Sequence, residues 1–146
     1  MAKSCPDDNH CPVFYAVSRL GDKWSLLIIR DLMFFGKRHY GEFLNSGEGI
    51  STNILANRLS QLERDGIISK EPDRENKARS RYALTEKGLA LMPVLLELVN
   101  WSATHDAETA APPQFIEALR NNPKALQRRL RQLYENGTPM LEALGS

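Results

Sequence analysis

Leu55, Leu59 and Leu62 recur at spacings of four and three, which places them on one narrow stripe of a helix. Ser51 stands where an N-cap hydroxyl would accept from the first-turn N–H groups, and Ile50 and Leu55 occupy hydrophobic-staple positions. Gly66 is placed to end the helix in the left-handed conformation. At roughly 100° per residue, Asn53, Asn57, Ser60 and Arg64 fall on the face opposite the leucines. Upstream, Cys11 to Leu20 and Asp22 to Phe35 form two further helical patterns divided by Gly21, the second carrying the apolar run "WSLLIIRDLMFF". "KRHY" predicts a short strand and "YGEFLNSG" a short helix, joined to the Ser51 helix by the tight turn "GEG".

Beyond Gly66 the period shifts. "IISKEPD" and "RSRYALT" are strand-like, and the polar "RENKA" between them suits a hairpin tip. Thr85 is placed to cap a long helix from Glu86 to about Thr104, with Leu91, Met92, Leu95, Leu98 and Val99 on a broad apolar face. "AAPP" at Ala110 to Pro113 marks a linker, followed by amphipathic patterns over Gln114–Asn121 and Pro123–Glu135. The predicted fold class is mainly α with a small β wing (α+β). The expected organisation is a flexible segment 1–10, a winged helix-turn-helix domain 11–107, and a helical extension 108–146.

Composition sets outer limits. With 146 residues, 42% of them hydrophobic and 25% charged, the chain is long enough for one domain with a real core. The longest apolar run, Leu89 to Trp101, is broken by Pro93 and Glu97, so no membrane span is expected. "MAKSCPDDNHCP" lacks the apolar region of a signal peptide, and a cytoplasmic protein is the expectation. The net charge of +1 decides little by itself, but its distribution does. Between Arg74 and Arg81 stand Arg74, Lys77, Arg79 and Arg81 against Glu75 alone. A basic hairpin beside a helix with an amide-bearing face is suited to double-stranded DNA, one element in the major groove and the other along the backbone.

The three histidines are scattered, and no phosphate loop or zinc-protease motif occurs, so neither an enzyme nor a cofactor is expected. Cys11, followed by Pro12, should sit at a helix N-cap, where the dipole favours a reactive thiolate. Cys5 is placed to resolve a sulfenic acid on Cys11 or to pair across a dimer. Cys5, His10 and Cys11 are only three metal-ligand types without paired spacing, so no metal site is expected.

The stretches "CPV", "LGDKWSLLIIRDL", "RHYGEFLNSGEGISTNILANRLSQLERDGII", "YALTEKGLAL" and "PVLLELVNW" resemble, in order, the HxlR-type regulators, a branch near the MarR-like winged helix proteins. The resemblance covers Cys11 to Ala107. It implies a homodimeric transcriptional regulator on a palindromic operator, with the N-terminal and post-wing helices in the dimer contact. Two-fold symmetry would then set the reading helices about 34 to 36 Å apart, in successive major grooves. Carried onto this chain, Ser51, Thr52, Asn53 and Asn57 become base readers, and Arg58 and Arg64 phosphate holders. Arg38 becomes a further phosphate contact, and the wing residues Arg74, Lys77, Arg79 and Arg81 contact the backbone or the minor groove. The resemblance also gives Cys11 a role in sensing electrophiles or thiol oxidation. For Arg58 an ion pair within its own helix is the rival reading.

Two other functions remain open from sequence. One is a winged-helix protein-interaction module without sequence-specific DNA binding; the other is a regulator that answers to a small-molecule ligand rather than to thiol oxidation. The extension Pro112 to Leu144 is expected to add dimer surface, since Phe115, Ile116 and Leu119 must be buried somewhere. Covering a ligand pocket, or laying the basic Lys124, Arg128, Arg129 and Arg131 on flanking DNA, are its alternatives.

Overall fold

The structure is a computed structural model that describes residues 10–144, so Cys5 and nearly all of the predicted flexible segment lie outside the described residues. Its helices are α1 (Pro12–Leu20), α2 (Lys23–Phe34), α3 (Tyr40–Leu44) and α4 (Thr52–Arg64), then α5 (Glu86–Leu89) and α6 (Met92–His105) after the hairpin. The C-terminal helices are α7 (Pro113–Asn121), α8 (Pro123–Glu135) and α9 (Met140–Leu144). Strands β1 (Ile68–Pro72) and β2 (Ser80–Leu84) pair antiparallel, in register from Ile68 opposite Leu84 to Pro72 opposite Ser80. This is the α+β winged arrangement that the hydrophobic pattern predicts.

Helix α2 is the hub. Asp22 caps it by accepting from the Trp24 N–H at 2.8 Å, and Ile28, Ile29 and Leu32 along it are buried. Around it lie α1, α4, β2 and α8. The core they share includes Phe43, Leu55, Leu59, Leu62, Ile68 and Tyr82, with the Phe43 and Tyr82 rings edge to face at 6.0 Å. Burying side chains of this size stabilises by roughly 1.5 to 3 kcal/mol each before entropy is counted.

Helix α4 begins and ends as its sequence dictates. The Ser51 hydroxyl accepts from the Ile54 N–H at 3.2 Å, and the staple residues Ile50 and Leu55 are both buried. At the other end Gly66 has φ +73°, the Gly66 N–H donates to the Glu63 carbonyl and the Ile67 N–H to that of Leu62, a Schellman closure. Thr85 then seals the exit, its N–H and hydroxyl both donating to the Ile67 carbonyl. Helix α5 packs so close here that a Cβ at Gly88 would stand 2.3 Å from the Ile67 carbonyl oxygen. No side chain fits at that contact.

Three expectations are corrected. "KRHY" is no strand: only the Arg38 carbonyl accepts from β2, at 2.7 Å from the Tyr82 N–H, before His39 caps α3 and turns the chain away. The long helix after Thr85 is two helices. A proline at 93 inside one helix would lack its N–H and collide with the carbonyl four residues back, so the chain restarts with Pro93 in the first turn of α6. Third, Phe115, Ile116 and Leu119 are not left for a partner chain. They are buried in the chain's own core, with α7 packed on α6 and on α8, and α8 on α2.

Tyr134 on α8 completes this docking by accepting from the Leu84 N–H of β2 at 2.7 Å. Tyr134→Phe should leave that N–H without its partner and cost about 1 to 3 kcal/mol. Thermal unfolding should register this as a drop of about 2 to 4 °C per kcal/mol for a chain of this size. An unchanged midpoint would mean that water replaces the phenol.

Candidate nucleic-acid interface

The leucine stripe of α4 faces inward, which leaves Thr52, Asn53, Ala56, Asn57, Ser60, Glu63 and Arg64 exposed. The start of the helix is held from below, because the Tyr40 hydroxyl donates to the Thr52 carbonyl at 3.0 Å. Ser51 is exposed but its hydroxyl is engaged as the cap. Thr52 and Asn53 therefore stand at the N-terminal end of an uncovered face, and Asn53 and Arg64 have no side-chain partner among the described residues. Amides there can donate to and accept from base edges.

Arg58 does not make the ion pair within its own helix that was its rival reading. Its Nε lies 2.5 Å from Asp22 Oδ2, an ion pair between α4 and the start of α2 rather than within one helix. Its Nη1 donates to Asn57 Oδ1 at 2.6 Å, so Asn57 is exposed but partly occupied. Burial pushes the Asp22 carboxyl up, but hydrogen bonds from Ser25, Trp24 and Arg58 outweigh it and hold the pKa below its ordinary value. Arg58 thus sets the seating of α4.

The expectation that Arg38 holds a phosphate is not met by its placement. The residue is 8% exposed, its Nη1 donates to the Leu32 and Lys37 carbonyls at 2.8 Å each, and the guanidinium lies 4.5 Å from the Tyr134 ring centroid. It is a packing cation beneath the extension.

In the wing, two of the four cations are tied to acids of the same hairpin. Arg79 Nε donates to Asp73 Oδ2 at 2.8 Å, and Arg81 lies 3.8 Å from Glu71, its direct cross-strand neighbour. Arg74 and Lys77, at the exposed tip, make no ion pair among the described residues. The tip is shaped by Asn76, whose side chain accepts from the Ala78 N–H and whose carbonyl accepts from Arg79.

Sequence reasoning missed His39 and Lys87. His39 Nδ1 is 2.9 Å from Glu42 Oε1 and its Nε2 is 3.5 Å from Asp73 Oδ1, so the ring joins the cap of α3 to the root of the wing. The spacing His39-x-x-Glu42 is that of a capping box and was the available signal. Lys87 donates to the Tyr15 hydroxyl at 3.1 Å and to the Asp65 carbonyl at 2.8 Å, linking α1 to the end of α4. Cys11 is where its pattern puts it, half-buried at the N-cap of α1 with Pro12 behind it.

A helix-turn-helix of α3 and α4 followed by a cation-tipped hairpin defines a winged helix-turn-helix protein. The family model for HxlR-like helix-turn-helix proteins matches residues 19–110. The chain belongs to that family, which is one of transcriptional regulators rather than enzymes. It is 40% identical to the HTH-type transcriptional regulator sll1512 of Synechocystis sp., over 66% of this chain and 72% of that one. Among solved structures it is similar to PA1607, at 35% identity and TM-score 0.63 over 70% of each chain. It is also similar to the redox regulator HypR in its oxidised form, at 32% identity and TM-score 0.56, over 64% of this chain and 96% of that one. No helix among the described residues is long and apolar enough to cross a membrane.

Asp73 gives the wing a pH dependence. The Arg79 hydrogen bond, helped by His39 and opposed by burial, lowers its pKa below the ordinary aspartate value. The contribution is therefore complete above about pH 4 and lost as pH falls through the lowered folded value. NMR shifts of the Arg79 and Ser80 amides should hold down to that range and then move. Asp73→Asn should show the moved positions already at neutral pH; unmoved amides in that variant would dismiss the latch.

Proposed function

We propose that the chain is a homodimeric, sequence-specific DNA-binding regulator acting on a palindromic operator. The observation that carries this is the uncovered polar face of α4, led by Thr52 and Asn53, next in the chain to a wing whose Arg74 and Lys77 make no ion pair among the described residues. Asn53 and Thr52 read base edges in the major groove, Asn57 reads once its bond to Arg58 is exchanged, and Arg64, Arg74 and Lys77 hold phosphates. Arg79 and Arg81 position the wing, with their charge shared with Asp73 and Glu71.

Two outward apolar faces support the dimer. Val13, Phe14, Tyr15 and Val17 on α1 are exposed, Val13 to 70%, as are Val94, Leu98 and Trp101 on α6, Trp101 to 67%. Large apolar side chains gathered on two helices of one chain mark an interaction surface. Cys11, at the head of α1, is the candidate switch: its oxidation or alkylation alters the same helix that carries the dimer face. The similarity to a redox regulator favours a thiol over other inputs.

Affinity for DNA from the chain's own upstream region should exceed that for a scrambled duplex and fall steeply with salt. Arg74→Ala or Lys77→Ala should weaken both duplexes alike and lower the salt slope by about 1. Asn53→Ala should cost about 1 to 3 kcal/mol on the operator and relax specificity. Mild oxidation should release the wild type and spare Cys11→Ser. A flat salt response with equal affinities would favour the protein-interaction module instead.

Trp101→Glu should shift sedimentation from dimer to monomer. A central aromatic anchor is worth about 2 kcal/mol or more, roughly thirtyfold in dimer affinity. A persistent dimer would move the interface elsewhere.

A further inference from the structure

Between α2, α6 and the segment leading into α7 lies a cavity of about 500 Å³. Its walls include Phe34 from α2 and Phe35 just after it, Leu95 and Val99 from α6, Phe115 from α7 and Met140 from α9. It is a cleft partly open to solvent and walled mostly by apolar side chains. It falls in the range of small-molecule sites, roughly 300 to 1,000 Å³.

The polar groups at its wall restrict what it can take. Among the described residues Arg30 is the one charged side chain there, and its guanidinium is already spoken for. Nε and Nη2 donate to Asp31 Oδ1 at 3.0 and 2.7 Å, Nη2 also donates to Glu48 at 2.6 Å, and the guanidinium lies 4.9 Å from the Phe35 ring centroid. Arg30 and Lys37 together balance Asp31 and Glu48, and the guanidinium's donors are taken by its own carboxylates, so an incoming carboxylate or phosphate would find no spare positive charge there. Two hydroxyls remain. That of Ser102 makes no hydrogen bond among the described residues, and Thr109 Oγ1 accepts from the Ala111 N–H at 3.3 Å, which leaves its proton to give.

We propose that this cavity binds a neutral, largely aromatic small molecule carrying one hydroxyl or carbonyl group, which Ser102 and Thr109 hold. The aromatic walls supply contact area, and the two hydroxyls orient the single polar group. Part of the site, from Ala111 through Phe115 to Met140, lies beyond the residues 19–110 that the family match covers. It is therefore built by this chain's extension together with the shared helices. The site goes beyond the operator reading and does not depend on it.

The test uses the full chain without DNA, so its result is separate from that of the DNA experiments. N-phenyl-1-naphthylamine, a neutral fluorophore, should bind saturably at one per chain with enhanced emission. 8-Anilinonaphthalene-1-sulfonate has the same rings with an added sulfonate and should bind at least tenfold more weakly. Ser102→Phe, which fills the cavity from α6, should weaken binding of the neutral probe at least tenfold. Thr109→Phe fills it from the connecting segment and serves where the first variant does not fold. Absence of saturable binding, equal affinity for the sulfonate, or binding that persists in the folded filled variants would each overturn the proposal.

Discussion

A single buried carboxylate holds the reading head to its scaffold. Asp31, near the end of α2, is 2% exposed, and an isolated charge at such depth would be expensive. It is kept by the Arg30 guanidinium, by the Ser46 hydroxyl, which donates to it, and by Lys37 at 3.6 Å. Ser46 belongs to the turn between α3 and α4, and Glu48 in the same turn returns to Arg30. One acid on the hub thereby fixes both sides of the helix-turn-helix corner. Removing it would take the only acid from Lys37 among the described residues and leave Arg30 with Glu48 alone, a heavier loss than any one contact.

The extension does a comparable task on the far side. A winged domain of this kind leaves the outer surface of α2 and α6 needing cover, and α7 and α8 supply it with Phe115, Ile116, Leu119, Leu126, Leu130 and Leu133. Tyr134 then reaches both the buried Arg38, in the segment between α2 and α3, and the backbone of β2. The basic residues that looked available for DNA on α8 are divided by the same docking: Arg131 pairs with Glu86 at the start of α5, while Arg128 and Arg129 stay exposed.

What could be read from the sequence was local. Helix α4, with a cap, a staple, a leucine stripe and a closing glycine within eighteen residues, declares itself because each signal acts on its near neighbours. The hairpin is legible for the same reason. Apolar periodicity reported that Phe115 and Leu119 are buried but not against what, since a stripe carries no address. It also ran on through Pro93, because the apolar face continues on both sides of the break. The fate of Arg38 depends on Tyr134, ninety-six residues away, and no local pattern could reveal it. Of the candidate site, the exposed face was visible, whereas the division of wing cations into held and projecting ones required the strand register that sets Arg81 opposite Glu71.

The bare contact of Gly88 on the Ile67 carbonyl has a mechanical meaning. Side chains can change rotamer and let neighbouring elements drift, but here main chain rests on main chain, and nothing between can be compressed or swung aside. Ile67 is the residue by which α4 becomes β1, and Gly88 follows β2 by one turn, so the separation of reading helix and wing is gauged by atomic radii alone. The two parts that would meet nucleic acid therefore travel as one rigid bracket, and adjustment to a target falls to the side chains at its edges.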